Sequence, residues 1–177
     1  PSDLELLNGA SWDVGTSMNS EIGTLTASKG VIRQPKGNAK TLTIDKLSGT
    51  VTVNYASDYR AADKTLAIDA AAGKVTLKGV DAAKEKAITI RTDNTNIPKA
   101  GLSNTAAWES ALTALANKLV YGAAGDIHAG QVAHLKAVAM INEGLVAPWA
   151  KADIVLAADG NNTIAQMKTG VETSGGG

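Results

Sequence analysis

Two histidines, His128 and His134, are the only imidazoles in the chain, and there is no cysteine. Disulfide frameworks, thiolate metal sites and cysteine nucleophiles are therefore excluded together. On a helix that advances 100° per residue the two imidazoles would stand about 120° apart, so one helix cannot aim both at a single ion. The glutamate of a zinc-protease helix is missing beside them as well. No Gly-x-Ser-x-Gly elbow presents a serine nucleophile. The glycine-rich run from Gly122 to Gly130 lacks both the dinucleotide fingerprint and the Lys-Ser/Thr ending of a phosphate loop. Asp58, Asp63, Asp81, Glu85, Asp93 and Glu109 show no spacing that selects an acid/base pair. The residues thus point to a non-enzymatic protein with no catalytic set, no metal and no cofactor.

Chemistry of a different kind is suggested by the distribution of charge. Seventeen acidic and seventeen basic residues cancel overall, which argues against specific binding of nucleic acid, since phosphates need clustered Lys and Arg. Locally the charges separate. Residues 1 to 28 hold Asp3, Glu5, Asp13 and Glu21 with no base, whereas residues 29 to 46 hold Lys29, Arg33, Lys36, Lys40 and Lys46 against Asp45 alone. Leu4, Leu6, Leu7 and Trp12 lie among the acids and carry more apolar surface than a free arm should expose. An acidic arm that docks on the basic segment of a neighbouring copy would satisfy both features, and an arm folded back across its own domain, the competing outcome, would satisfy the same charges at a smaller loss of entropy. The expected subunit contacts are therefore Leu4, Leu6, Leu7, Trp12, Lys29, Arg33, Lys36 and Lys40.

The elements that would position such contacts must be built from small residues. Of 177 residues 44% are hydrophobic, but 31 of these are alanine, phenylalanine is absent, and three Trp and three Tyr are the only aromatics. Leu, Ile and Val must carry most of the burial, and Ala marks close approaches. The length suits one compact domain, 1–177. Apolar runs fall far short of the ~18 to 20 residues that a membrane-spanning helix needs.

An internal repeat is the clearest pattern. Residues 41–54 and 65–78 match at seven of fourteen positions, with Leu42 and Ile44 then Val51 and Val53, and Leu66 and Ile68 then Val75 and Leu77, alternating as half-buried strands do. Asp45 and Asp69 open a turn in each, and Gly49 and Gly73 close it, which reads as two antiparallel hairpins with both glycines at positive φ. Thr24–Thr26 and Val31–Ile32 are expected to form a shorter hairpin, and residues 87–91 one more strand. Beyond Asn104 the spacing turns helical: Trp108, Leu112, Leu115 and Leu119 share a face, and Asp126 caps a second helix carrying Ile127, Leu135, Val138 and Ile141. Pro148 suits a first helical turn, 154–157 fits helix or strand, and 163–168 a last short helix.

These readings assemble into an α+β fold, with antiparallel β-hairpins over about 24–91, a helical half over about 104–169, and extended arms at both ends. In segments, 1–23 is an N-terminal arm, 24–97 the hairpin region, 104–169 the helical region and 170–177 a glycine-rich tail. The functional expectation is a structural subunit that assembles with copies of itself, and with other structural proteins of the same particle. A viral or phage coat, cement or tail protein, located in the virion, is the first reading. A bacterial surface filament or pilus-like subunit at the cell surface is the alternative, and a small hydrolase or ligand-binding domain a distant one.

Overall fold

A computed structural model describes residues 1–80, 87–94, 96–97 and 104–122 in full, together with the backbone of three strands, 135–141, 146–156 and 162–173. Its elements are β1 (Ser2–Leu6), β2 (Ser11–Asp13), β3 (Ser20–Gln34), β4 (Leu42–Tyr55), β5 (Ser57–Arg60), β6 (Thr65–Ile68), β7 (Val75–Leu77), β8 (Ile88–Asn94), α1 (Thr105–Ala116), β9 (Leu119–Tyr121), β10 (Leu135–Ile141), β11 (Val146–Leu156) and β12 (Asn162–Thr173). Ten of the strands form one sheet, while β5 and β6 form a separate two-stranded one.

Pairing within the large sheet is parallel from β1 to β10. Both β1 and β2 lie on β3, with Ser2 opposite Ile22 and Trp12 opposite Ile32. In turn β3 lies on β4, with Ile22 opposite Ile44 and Ile32 opposite Val53. Strand β4 carries β7 on its first half and β8 on its second, and these carry β9 and β10.

Chain length dictates what this pairing means. The 15-residue strand β3 would span roughly 50 Å if straight. Only residues 35 to 41 separate its end from the start of β4, and seven residues reach at most about 25 Å. To begin β4 beside the start of β3, the chain must therefore bend within β3 and come back round. The bend falls where the ladder slips, between Ala27 and Gly30. Asn8 and Gly9, Lys29 and Gly49 stand at the same corner of successive turns, all with positive φ (57°, 79°, 54° and 95°). Gly9 N donates to Ser28 O at 3.2 Å and Lys29 N to Thr50 Oγ1 at 3.3 Å, tying each corner to the next. The described chain is a parallel β-solenoid of five coils: β1 with β2, then β3, β4, β7 with β8, and β9 with β10.

Stacking at ~4.8 Å per coil places like on like in the interior. One column runs Leu4, Leu25, Leu47, Val80; another Ile22, Ile44, Leu77; a third Trp12, Ile32, Val53, Ile90. From the second coil inward these side chains are buried, apart from the partly buried Val80. Each fully buried aliphatic contributes roughly 1.5 to 3 kcal/mol before entropy is counted. The alternation in the sequence is thus the inside/outside alternation of a coil wall.

Later coils grow by insertion. The hairpin β5–β6 leaves the third coil and returns, and its backbone closes with Asp69 N donating to Ala56 O at 3.0 Å. Helix α1 leaves the fourth. Asn104 caps it by accepting from Ala107 N at 3.2 Å, while its Nδ2 reaches Asp63 O at 3.0 Å on the hairpin. Trp108, Ala111, Leu112, Leu115 and Ala116 are its buried face. Beyond β10 the chain continues as an antiparallel meander, β10–β11–β12.

The expected α+β order is therefore corrected. Residues 41–54 are not a hairpin: β4 is one strand, parallel to its neighbours on both edges. Residues 65–78 split between β6 of the small sheet and β7 of the solenoid. Thr24–Thr26 and Val31–Ile32 are the two limbs of β3. Gly49 has the expected positive φ, whereas Gly73 does not; Gly73 is required instead because a Cβ there would lie 2.1 Å from Lys40 O. Among the described residues the helical half reduces to α1, and Leu119, expected on its face, lies in β9. Residues 135–141, 146–156 and 162–173 are strands, so Leu135, Val138, Ile141, Pro148, residues 154–156 and residues 163–168 lie in sheet, while Asp126 and Ile127 lie outside the described residues. An open parallel edge on β8 offers a full ladder of backbone hydrogen bonds, and alanine's preference for helix, a few tenths of a kcal/mol per residue, does not outweigh it. Nor, among the described residues, are the ends free arms. Residues 1–23 form the first coil and enter the second, and the chain is still paired in β12 as far as Thr173.

Candidate functional site

Two places concentrate polar or unroofed groups: a buried corner between coils and the exposed face of the first coil. The corner forms where the chain crosses from Gln34 to Leu42. Asn38, buried in that crossing, donates through Nδ2 to Gln34 Oε1 (2.8 Å) and Gly15 O (3.1 Å) and accepts from Lys40 N (3.2 Å). Gln34 Nε2 donates to Lys40 O at 2.9 Å and to Gly73 O at 3.2 Å. Tyr55, the ladder partner of Gln34, donates its hydroxyl to the same Gly73 O at 2.8 Å. Lys118 is buried alongside, with Nζ donating to Ala72 O at 2.7 Å and lying 5.4 Å from the centre of the Tyr55 ring. Every group here has a structural partner, and the network locks four successive crossings together, at Gly15, Asn38, Gly73 and Lys118.

Burial pushes the Tyr55 and Tyr121 phenols far above their usual range and pulls the Lys118 ammonium below its own, in each case because the charged form loses water. The signs oppose each other. Phenols held protonated contribute stability that is full below the ordinary tyrosine value of about 10 and is lost as pH rises above it. Lys118 acts the other way, since its charge costs stability at neutral pH and that cost is relieved as pH climbs towards the ordinary lysine value. Two strongly shifted phenols outweigh one ammonium. Urea unfolding should therefore show stability falling as pH rises above about 10, and Tyr55→Phe should make that fall shallower. An equal fall in both proteins would show that Tyr55 ionises freely.

The second place is the axial end of the solenoid. Among the described residues no strand lies on the outer edge of β1 or β2. The columns stop there: Leu4 and Trp12 are only partly buried, Leu7 is 45% and Met18 71% exposed. A groove of about 320 Å³ opens there, lined by Leu4, Trp12, Met18 and Ile22 together with Asp3 and Glu21. Asp3, Glu5, Asp13 and Glu21 are all exposed.

The expected contact residues divide between these surroundings. Leu4 and Trp12 line the groove, Leu7 stands outside it, and Leu6 is buried in the core. Lys29 lies in neither place: it is exposed at the bend of β3, where its N donates to Thr50 Oγ1. Arg33 approaches Asp13 of the first coil at 4.0 Å and donates to Ser11 Oγ at 2.9 Å, so acidic and basic stretches already meet within one chain. Lys36 lies 3.7 Å from Asp58, and Lys40 serves the corner through its backbone. These ion pairs are exposed and are worth at most about 1 kcal/mol each. His128, His134 and the last four residues of the expected tail lie outside the described residues, among which no cluster of three or more His, Cys, Asp or Glu gathers. Among them, too, no helix is long and apolar enough to cross a membrane. Gln34, Asn38, Tyr55 and Lys118 escaped the sequence reading. Their one visible signal was Asn38 between Gly37 and Lys40, a turn residue able to bond its own backbone two residues on.

Compared with known proteins, the chain matches no family, no curated protein and no solved structure.

Proposed function

We propose that this protein is a non-enzymatic structural module of a rod-like surface assembly. The observation that carries the reading is the parallel pairing that continues through five coils, with aliphatic columns filling the interior from Ile22 and Leu25 onward. Such stacking lengthens along one axis and makes each coil a template for the next. The buried polar residues support the same role, since Gln34, Asn38, Tyr55 and Lys118 spend their hydrogen bonds on joining crossings rather than on facing a cavity.

Axial growth favours an elongated appendage over a closed shell. A bacterial surface filament is accordingly placed first and a virion tail or fibre second, with coat and cement roles behind both. Partners are further coils, from copies of this chain or from other structural proteins of the same particle. Electron microscopy of the purified protein, together with its sedimentation coefficient, tests the reading. Elongated particles with a high frictional ratio are expected. Compact particles that turn over a substrate would overturn it.

A further inference from the structure

We infer that the outer edge of β1 and β2 is a docking site for one more parallel coil, a strand–turn–strand segment with apolar residues facing inward and Lys or Arg facing outward. The inference rests on the rod reading and names the chemistry of what continues the rod at this end.

Three observations converge on this occupant. First, the ladder is open: β1 and β2 pair with β3 on one edge only among the described residues, so alternate N–H and C=O groups face outward, a ready template for a further strand. Second, the interior is unroofed. Leu4 heads the column Leu25–Leu47 and Trp12 heads Ile32–Val53–Ile90, yet both are partly exposed beside a groove of about 320 Å³ that reaches the buried Ile22. One inward-facing residue above each would restore the burial that Leu25 and Leu47, and Ile32, Val53 and Ile90, have in the coils below.

Third, the charge chooses the partner. The first coil and the start of the second present Asp3, Glu5, Asp13 and Glu21 with no Lys or Arg before Lys29. Within the solenoid, carboxylates meet cations from the next coil: Asp13 of the first coil has Arg33 as its register partner, and Lys78 Nζ approaches Asp45 at 3.8 Å. Asp3 accepts from Thr24 N at 2.8 Å, so Glu5 and Glu21 are the acids to which the same rule, applied upward, assigns outward Lys or Arg. It also disfavours a second copy meeting this end edge to edge, because acid would then face acid, with no Lys or Arg from the first coil to separate them.

The probe is a capped 15-residue peptide with the sequence of residues 20–34 and Glu21→Lys, which keeps the limb–corner–limb pattern of β3 and carries three cations. A second peptide has those three positions as Glu. Hydrogen exchange of the full chain is followed with each. The basic peptide should slow exchange at alternate amides of residues 2–6 and 11–13, and blue-shift the Trp12 emission, while the acidic peptide does neither. A Glu5→Lys/Glu21→Lys chain, altered only at exposed positions and checked for folding by circular dichroism, should bind the basic peptide at least ten-fold more weakly. Unchanged exchange at saturating peptide, equal affinity of the two peptides, or faster exchange in β3 that reveals strand replacement would each overturn the inference. For a double variant that fails to fold, a ten-fold weakening of basic-peptide binding to the parent chain between low and high salt is the replacement readout, and salt-independent binding overturns the proposal. Rods seen by microscopy with no peptide protection would sink this inference and leave the rod reading standing.

Discussion

Gly49→Ala should destabilise the fold by about 3 to 5 kcal/mol, a loss large for a single methyl group. Two causes add at this corner. The φ of 95° lies where an L side chain is strained, and a Cβ would sit 1.9 Å from the carbonyl oxygen of Ala27 in the coil beside it. That neighbour is main chain, so no rotamer change relieves the contact. Gly37 separates the causes, because its φ is 75° but nothing lies within 4 Å of the position its Cβ would take. Gly37→Ala should therefore cost about 1 kcal/mol, from conformational strain alone. Urea denaturation of the two variants beside the parent measures the difference. Equal losses would mean that the corner at Gly49 faces solvent, as a hairpin turn does, and that the coils are not in contact there.

The same corner shows how far the amino-acid sequence could be read. Leu42, Ile44, Val51 and Val53 alternate, and that pattern correctly marks strand and the inward side. It says nothing about which strand lies alongside, because hairpin and solenoid walls bury alternate residues in the same way. The apparent repeat between 41–54 and 65–78 drew attention to the wrong partner. Strand β4 lies on β3, where Ile22 and Ile44, and Leu25 and Leu47, are the identical pairs in register while most other positions differ. The coil length is also hidden. Ser2 stands 20 residues before its partner Ile22, but Leu42 stands 33 before Val75 and Val75 stands 44 before Leu119, because hairpin β5–β6 and helix α1 swell the later coils. A period that grows with each insertion leaves no constant offset to find.

At the candidate site the legible part was composition and the illegible part was partnership. The acidity of residues 1–28 and the excess apolar surface at Leu4, Leu7 and Trp12 were visible as such. That Arg33 already answers Asp13 within the chain follows only from the parallel stacking of β2 on β3. Lys118 was invisible for a related reason, since a lysine just after a helix looks solvated until the crossing at Ala72 is placed over it.

Trp108→Ala should cost about 3 to 5 kcal/mol, the usual range for emptying a buried aromatic site. Trp108 is fully buried on the inner face of α1 with Leu112 and Leu115, and that face covers the solenoid beside β6 and β8 and lies against β10, β11 and β12. With no phenylalanine in the chain, one indole supplies volume that several alanines cannot. The helix has few supports of its own: twelve residues, an Asn104 cap, and no acid in its first turn or base in its last. An isolated helix of that length is marginal in water, so its stability has to come from this buried face. Loss of the ring should consequently loosen α1 and the β5–β6 hairpin together, because Asn104 Nδ2 joins the helix start to Asp63 O. Hydrogen exchange would show it as faster exchange over residues 57–68 and 105–116, with the amides of β3 and β4 less affected. A loss below about 0.5 kcal/mol would show that α1 rests on the coils without sealing them. A uniform collapse of protection would show instead that the helix is part of the solenoid's own core and not an insertion laid over it.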